Sequence, residues 1–167
     1  MIVVSDTSPL VALWKLGLLG ILPILYGTVV IPSAVEAELR APGHSESADA
    51  IFEASAGWLA VRSPASIREF AGLDPGETSA IALAKELRAD ALIMDERAGR
   101  IVSEREGIPT VGTIGVLELA AQNDLLDLAD AFERLKSIGF HVAHDLLDSR
   151  LDSFIGGRAS REGAEGS

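Results

Sequence analysis

The 167-residue sequence contains no cysteine. This absence excludes a disulfide scaffold, a cysteine zinc site and a cysteine nucleophile, and it is compatible with a cytoplasmic protein. Basic residues are also few: 14 Lys+Arg stand against 25 Asp+Glu, and the formal net charge is −11 at pH 7. Such a charge argues against broad, charge-driven binding to nucleic acid or to an anionic membrane. It permits a site that concentrates carboxylates and recruits a divalent cation.

Long uncharged segments are scarce, and only residues 16–35 approach the length of a bilayer span without a charge. The segment is interrupted by residues that mark turns in a buried α/β segment. These are Gly17, Gly20, Pro23, Gly27 and Pro32. No basic region precedes the apolar N-terminal residues, so a signal peptide is not expected either. We therefore expect a cytoplasmic protein with no membrane association.

Strand-like runs alternate with helical patterns along the chain, which predicts βαβ units and a parallel sheet. Five strands are predicted over residues 2–5, 28–31, 59–62, 91–94 and 109–111. The clearest helix begins at Asp74 and runs through Leu87, because its apolar residues recur with helical spacing. The sequence therefore predicts an α/β fold.

Local signals predict where several helices and the domain end. Ser8 is the expected N-cap of the first helix, with Pro9 at its first helical position. Ser33 and Glu36 fit a capping box at a later helix. Residues 156–167 are rich in glycine, serine and charge, so a disordered tail is expected there. This leaves one domain over residues 1–155.

Acidic residues lie where strands end and helices begin. Asp6 directly follows the first predicted strand and Asp95 the fourth, while Glu38 and Glu77 lie on helices that start at the same edge of the sheet. Ligands of open parallel sheets bind at the carboxyl ends of the strands. We therefore expect these four carboxylates to meet at one edge.

Carboxylates held close together repel one another, and a divalent cation relieves that repulsion. Mg²⁺ and Mn²⁺ prefer oxygen ligands of this kind, and with no nucleotide-binding loop the set suggests phosphodiester hydrolysis by a metal-activated water. Each acid alone also has a structural interpretation: Glu77 could complete a capping box with Asp74, and Asp6 and Asp95 could cap helices. The functional hypothesis depends on the whole set.

Four segments in order resemble the motifs of the PIN-domain nucleases, and within them the toxins of VapBC-type toxin–antitoxin pairs. The segments are VVSDTSPLVAL, VVIPSAVEAEL, LDPGETSAIALAKEL and ALIMDERAGRIV, and the tail motif of one poorly characterised branch resembles IPTVGTIGVLELA. In this register the family's acids fall on Asp6, Glu38, Glu77 and Asp95, with Glu36 outside the set. Glu77 stands where many relatives carry aspartate.

The resemblance covers about residues 1–155 and implies a three-layer α/β/α sandwich around a parallel sheet of four or five strands. It implies an endoribonuclease that uses Mg²⁺ or Mn²⁺ held by the four acids. It also implies an RNA substrate, a small antitoxin partner and a homodimer.

Several polar residues near the acids are candidates for holding them or for contacting substrate. They are Thr7, Ser8, Glu96, Arg97, Arg100 and Thr113. Arg97 and Arg100 have the spacing of one helix face and could contact a phosphate, although ion pairs with Glu96 or Glu104 explain them equally well. His44, His141 and His144 form no metal-binding pattern.

Two further interpretations of the sequence remain open. The leucine-rich residues 13–25 exceed what one short helix pair can bury, which favours a self-association surface. A PIN-like fold that is catalytically weak and acts mainly through protein contacts is the alternative function, and the net charge favours it. A phosphoacceptor receiver domain is set aside, because Asp6 is followed by Thr7 rather than by a second acid.

Overall fold

The computed structural model describes residues 1–166 and contains a five-stranded sheet with helices between and after its strands. The strands are β1 Val3–Ser5, β2 Val29–Ile31, β3 Leu59–Val61, β4 Ala91–Ile93 and β5 Thr110–Val111. The helices are α1 Thr7–Lys15, α2 Ile21–Tyr26, α3 Ser33–Arg40, α4 Ser45–Ala54, α5 Pro75–Leu87, α6 Arg97–Arg105, α7 Thr113–Gln122, α8 Leu128–Ser137 and α9 His144–Glu165. All five strands fall inside the segments that the sequence predicted.

The strands are parallel and lie in the order β3-β2-β1-β4-β5. Parallel connections of this kind are almost always right-handed. That rule places the helices between β1, β2 and β3 on one face, and α5 and α6 on the other. The predicted α/β/α sandwich around a parallel sheet is therefore confirmed.

The core on the α5 face shows why these segments pack as they do. Val4 of β1 is paired with Leu92 of β4, and both side chains are fully buried on the same face. The small residues Ala80 and Ala84, with Leu83, let α5 approach this face closely. This packing fixes the start of α5 above the ends of the two central strands.

The chain divides into two compact units. The first, Met1–Val116, contains the whole sheet, and the second begins at Leu117 and contains α8 and α9. The single domain over residues 1–155 stays a prediction.

The leucine-rich segment is mostly buried inside the first unit. Leu13, Leu16 and Leu22 are at most 1% exposed, whereas Ile24 is 66% exposed. The segment is thus core more than surface, and Ile24 is its main contribution to any partner surface. No helix in residues 1–166 is long and apolar enough to cross a membrane.

Two predicted caps differ in the structure. The first helix begins at Thr7 with Asp6 at the N-cap position, so the expectation of Ser8 as N-cap is wrong. The predicted Ser33–Glu36 capping box does not form. Each side chain has another partner: the Ser33 hydroxyl bonds that of Ser63 at 2.7 Å, and Glu36 pairs with Arg40 at 3.4 Å.

The end of the chain also differs from its prediction. The sequence predicted a disordered tail over residues 156–167, yet α9 continues to Glu165. Arg158 explains part of this continuation, because it pairs with Asp124 at 2.6 Å and with Glu162 one turn later at 3.4 Å. Residue 167 lies outside the described residues.

The ion pairs of Arg158 are testable. We expect Arg158→Ala to speed hydrogen exchange of the amides in residues 156–165, because the substitution removes both pairs that hold this part of α9. Arg161→Ala is the control, since Arg161 forms no ion pair in the described part of the chain. Amides that exchange at unstructured rates in the wild type would show that the tail is disordered after all.

Candidate metal centre at the carboxyl edge of the sheet

Asp6 lies at the carboxyl end of β1, where the sheet passes into α1. Its backbone N–H donates to the carbonyl of Ile93 at 2.9 Å, which extends the β1–β4 pairing by one residue. The residue is only 4% exposed. The sheet therefore holds Asp6 in place through its backbone, and the carboxylate is carried into a buried position.

The Asp6 carboxylate is incompletely satisfied there. Its Oδ1 atom is buried and has no hydrogen-bond partner in residues 1–166. Burial raises the pKa of Asp6 to about 7; the Thr7 backbone N–H opposes this, and the charges of Glu38, Asp74 and Glu77 raise it further. Asp6 is thus a buried acid among other acids, with a free oxygen.

Glu38 is held by donors from two other helices. Its Oε2 atom accepts the Thr7 hydroxyl at 2.5 Å, and its Oε1 atom accepts the Gly76 backbone N–H at 2.9 Å. These bonds join α3 to the starts of α1 and α5. Glu38 is therefore oriented by the fold and lies close enough to Asp6 to influence its pKa.

Glu77 sits in the first turn of α5 in a capping box with Asp74. The Asp74 N–H donates to Glu77 Oε2 at 3.0 Å, and the Glu77 N–H donates to Asp74 Oδ1 at 2.8 Å. Burial raises the pKa of the Glu77 carboxyl, and the charges of Asp74, Glu96 and Glu38 add to this. The capping interpretation is therefore confirmed, and the same side chain belongs to the acidic cluster.

Asp95 follows β4 and is bound by Thr113. Its Oδ1 atom accepts the Thr113 backbone N–H at 2.7 Å, and Oδ2 accepts the Thr113 hydroxyl at 2.7 Å. Burial raises the pKa of Asp95, while these bonds and the charge of Arg100 oppose the rise. Thr113 thus holds this acid.

The four predicted acids lie at the carboxyl edge of the sheet, but they do not all interact electrostatically with one another. Asp6, Glu38 and Glu77 interact electrostatically, whereas the charges that act on Asp95 come from Arg100. Asp6 and Asp95 follow the neighbouring central strands, as predicted. Among residues 1–166, no three His, Asp or Glu side chains are arranged so that they could hold a metal ion as they stand. Most of the carboxylate oxygens are engaged by the donors above.

The remaining candidate residues differ in their surroundings. Ser8 is exposed, and its hydroxyl makes no hydrogen bond in the described chain. Glu96 is exposed and contributes its charge to the cluster around Glu77. Arg97 is exposed and pairs with no acid in residues 1–166, so the expected alternative of a pair with Glu96 or Glu104 does not occur.

Two residues of the cluster were not singled out by sequence reasoning as parts of the site. The sequence pattern identifies Asp74 only as a cap, yet its charge acts on both Asp6 and Glu77. The sequence pattern gives no role to Gly76, although it contacts Glu38. The DPGE sequence of residues 74–77 was the available signal, because a cap and an acid three residues apart share one helix start.

The raised pKa of Asp6 predicts a pH-dependent stability. The folded-state pKa is about 7 against an ordinary value of 3.8, so the folded state binds an extra proton between these values. The stability that this proton contributes is fully present below pH 3.8, the ordinary pKa. It is lost as the pH rises through about 7, the folded-state pKa. The Asp6→Asn variant does not titrate.

We therefore expect the free energy of unfolding of Asp6→Asn, relative to the wild type, to increase from about pH 4 to about pH 7.5, by up to about 1.4 kcal/mol per pH unit. Urea denaturation in a chelating buffer measures it. Asp152→Asn, at an exposed position of α9, is the control. A flat difference for Asp6→Asn would show that this carboxyl is not perturbed by burial.

Comparisons with known proteins agree with this architecture. The family profile DUF3368, described as a PIN domain, matches residues 2–155. A PilT N-terminus domain protein from the hyperthermophilic archaeon Sulfolobus solfataricus P2 has a similar structure, with a TM-score of 0.50 and 18% sequence identity over 70% of this chain and 90% of that one. None of the curated proteins compared with the chain matches it. The profile spans both central strands and all four acids at their carboxyl edge, and the chain belongs to the PIN domain family.

Proposed function

We propose that this protein is a Mg²⁺- or Mn²⁺-dependent endoribonuclease and the toxin of a toxin–antitoxin pair. One observation supports the metal-dependent chemistry above all others: the buried Asp6 carboxylate has an oxygen without a partner, beside the carboxylates of Glu38 and Glu77. A buried carboxylate that is neither paired nor fully hydrogen-bonded is costly. A cation at this edge would satisfy it.

The donor set fits a hard divalent cation. The acids available are Asp6, Glu38, Glu77 and Asp95, all oxygen donors, and cations such as Mg²⁺ take one or two carboxylates and keep several waters. When bound, the cation would activate water for attack on a phosphodiester and stabilise the charge that develops on the phosphate.

The other residues of the site orient the acids. Thr7 and Gly76 hold Glu38, the Asp74 backbone N–H holds Glu77, and Thr113 holds both oxygens of Asp95. Acids that bind a cation are commonly fixed by such outer hydrogen bonds. Because each donor comes from a helix start, the orientation depends on the helices and not on flexible loops.

Arginines beside the acids support a nucleic acid substrate. Arg97 and Arg100 lie in α6, which begins two residues after Asp95, and the exposed Arg97 guanidinium has no acidic partner in residues 1–166. A guanidinium in this place can bind a phosphate of the RNA backbone. With a net charge of −11, the protein would hold RNA through this small contact and not through a broad basic surface.

The partner and the location of the toxin are further parts of the proposal. We propose a small antitoxin protein as its partner and the cytoplasm as its location. The alternative function, a catalytically weak PIN-like protein that acts mainly through protein contacts, is favoured by one observation, the strongly acidic composition. The two functions differ in whether the purified protein cleaves RNA.

Cleavage should require both the cation and Glu38. We expect the purified protein to cleave RNA with Mg²⁺ or Mn²⁺ and to lose this activity in excess chelator. Glu38→Gln keeps the shape of the side chain and removes a charge that would bind the cation, so kcat/KM should fall by about a hundredfold or more. Gel assays on a mixed-sequence RNA measure both effects.

Glu36→Gln is the matched control, because Glu36 lies on the same helix and pairs only with the exposed Arg40. Its activity should equal that of the wild type. Cleavage that persists in excess chelator would overturn the metal-dependent mechanism. Absence of cleavage under all conditions would favour the interaction module.

The expected homodimer has a specific test at Ile24. Light scattering at high micromolar concentration should give about 35 kDa, twice the chain mass of 17.5 kDa. Ile24→Asp should shift the protein to a monomer if the exposed end of the leucine-rich segment forms the contact, whereas Ile67→Asp, at another exposed isoleucine, should not. A wild-type monomer would contradict the dimer.

A further inference from the structure

We propose that Gly76 is a positioning residue for Glu38: its missing side chain leaves the space that the Glu38 carboxylate occupies, and its backbone N–H fixes that carboxylate there. The proposal rests on the proposed function, because Glu38 is one of the acids assigned to the cation. It adds a residue beyond the four acids predicted from the sequence.

The two oxygens of the Glu38 carboxylate accept hydrogen bonds from two different residues. Gly76 donates its N–H to Glu38 Oε1 at 2.9 Å, while the Thr7 hydroxyl donates to Oε2 at 2.5 Å. Gly76 is buried at the second position of α5, so its N–H is one of those that a helix leaves without an internal partner. The Glu38 carboxylate supplies that missing acceptor.

The backbone of Gly76 does not require glycine. Gly76 is not among the glycines with positive φ, and alanine is the better helix former. Glycine is needed here because the Glu38 carboxylate occupies the place where a side chain would begin. A Cβ atom added to Gly76 would meet the two carboxylate oxygens and the Cδ atom of Glu38 closer than real Cβ atoms approach other atoms. Alanine at this position would therefore displace the carboxylate.

Displacement would act on the site through Glu38 alone. The carboxylate would lose the Gly76 N–H bond and its present place beside Asp6, but its charge would remain in the protein. Removing a donor that orients a cation ligand commonly weakens cation binding by about ten- to a hundredfold. Gly76 would thus affect cation binding without touching the cation.

The first measurement is Mn²⁺ affinity by isothermal titration calorimetry. We expect Gly76→Ala to bind Mn²⁺ at least about tenfold more weakly than the wild type. Gly156→Ala is the matched control, because Gly156 is a helical glycine with no neighbour within 4 Å of an added Cβ. Adding Glu38→Asp to Gly76→Ala should restore part of the affinity, since the shorter acid leaves room for the new methyl group.

The second measurement needs no cation and no activity. In the metal-free protein, Gly76→Ala should lower the melting temperature, whereas the same change in a Glu38→Ala background should leave it unchanged or raise it. This coupling distinguishes the contact from a general effect on α5. The test remains decisive if Gly76→Ala does not fold, because the variant that combines Gly76→Ala with Glu38→Ala is then expected to fold.

The outcomes separate this proposal from the proposed function. Equal effects of Gly76→Ala with and without Glu38 would overturn the positioning role, as would Mn²⁺ binding of Gly76→Ala that equals or exceeds that of the wild type. A wild-type protein that binds no Mn²⁺ would overturn the metal centre, while the melting experiment would still decide the contact between Gly76 and Glu38.

Discussion

The burial of one carboxylate at the end of the central strand is the constraint on which the rest of the site depends. Asp6 is fixed by the sheet through its N–H bond to Ile93, so the residue cannot withdraw toward solvent without breaking the β1–β4 pairing. Its carboxylate is placed among other acids and keeps an oxygen without a partner. The fold thus maintains an unfavourable arrangement at this edge of the sheet, and stability stored in the core offsets it.

The neighbouring acids show how the fold limits that cost. Each is given donors that lie at or near a helix start: Gly76 for Glu38, Asp74 for Glu77 and Thr113 for Asp95. Helix starts carry unpaired N–H groups and partial positive charge, so they stabilise carboxylates that the cluster destabilises. Asp6 itself occupies the N-cap position of α1, but its side chain makes no capping bond. Among the described residues, the only buried side-chain oxygen without a hydrogen-bond partner is therefore on an acid that directly follows a central strand.

The sequence predicted the architecture well because that architecture depends on local patterns. Apolar runs such as residues 91–94 and the periodic helix after Asp74 indicated the strands and helices, and the strand-end rule placed Asp6 beside Asp95. The capping box at Ser33 was wrong and the contact of Glu38 with Gly76 was not predicted, because each side chain bonds a residue far along the chain. Ser33 bonds Ser63 and not its own helix, and Glu38 meets Gly76 from 38 positions away in the chain. Neither choice can be found from spacing within one helix, because both depend on how α3 is placed against other elements.

The order of the strands also bears on when the site can exist. The central pair joins β1 at residues 3–5 to β4 at residues 91–93, and β2 and β3 lie on the other side of β1. A chain emerging from the ribosome can therefore form the β1–β2–β3 half before its central partner has been made. Asp95 takes its place beside Asp6 only after that long-range pairing, which is a slow kind of contact to form. A nascent or truncated chain that ends before β4 thus carries Asp6, Glu38 and Glu77 without the strand that completes their edge.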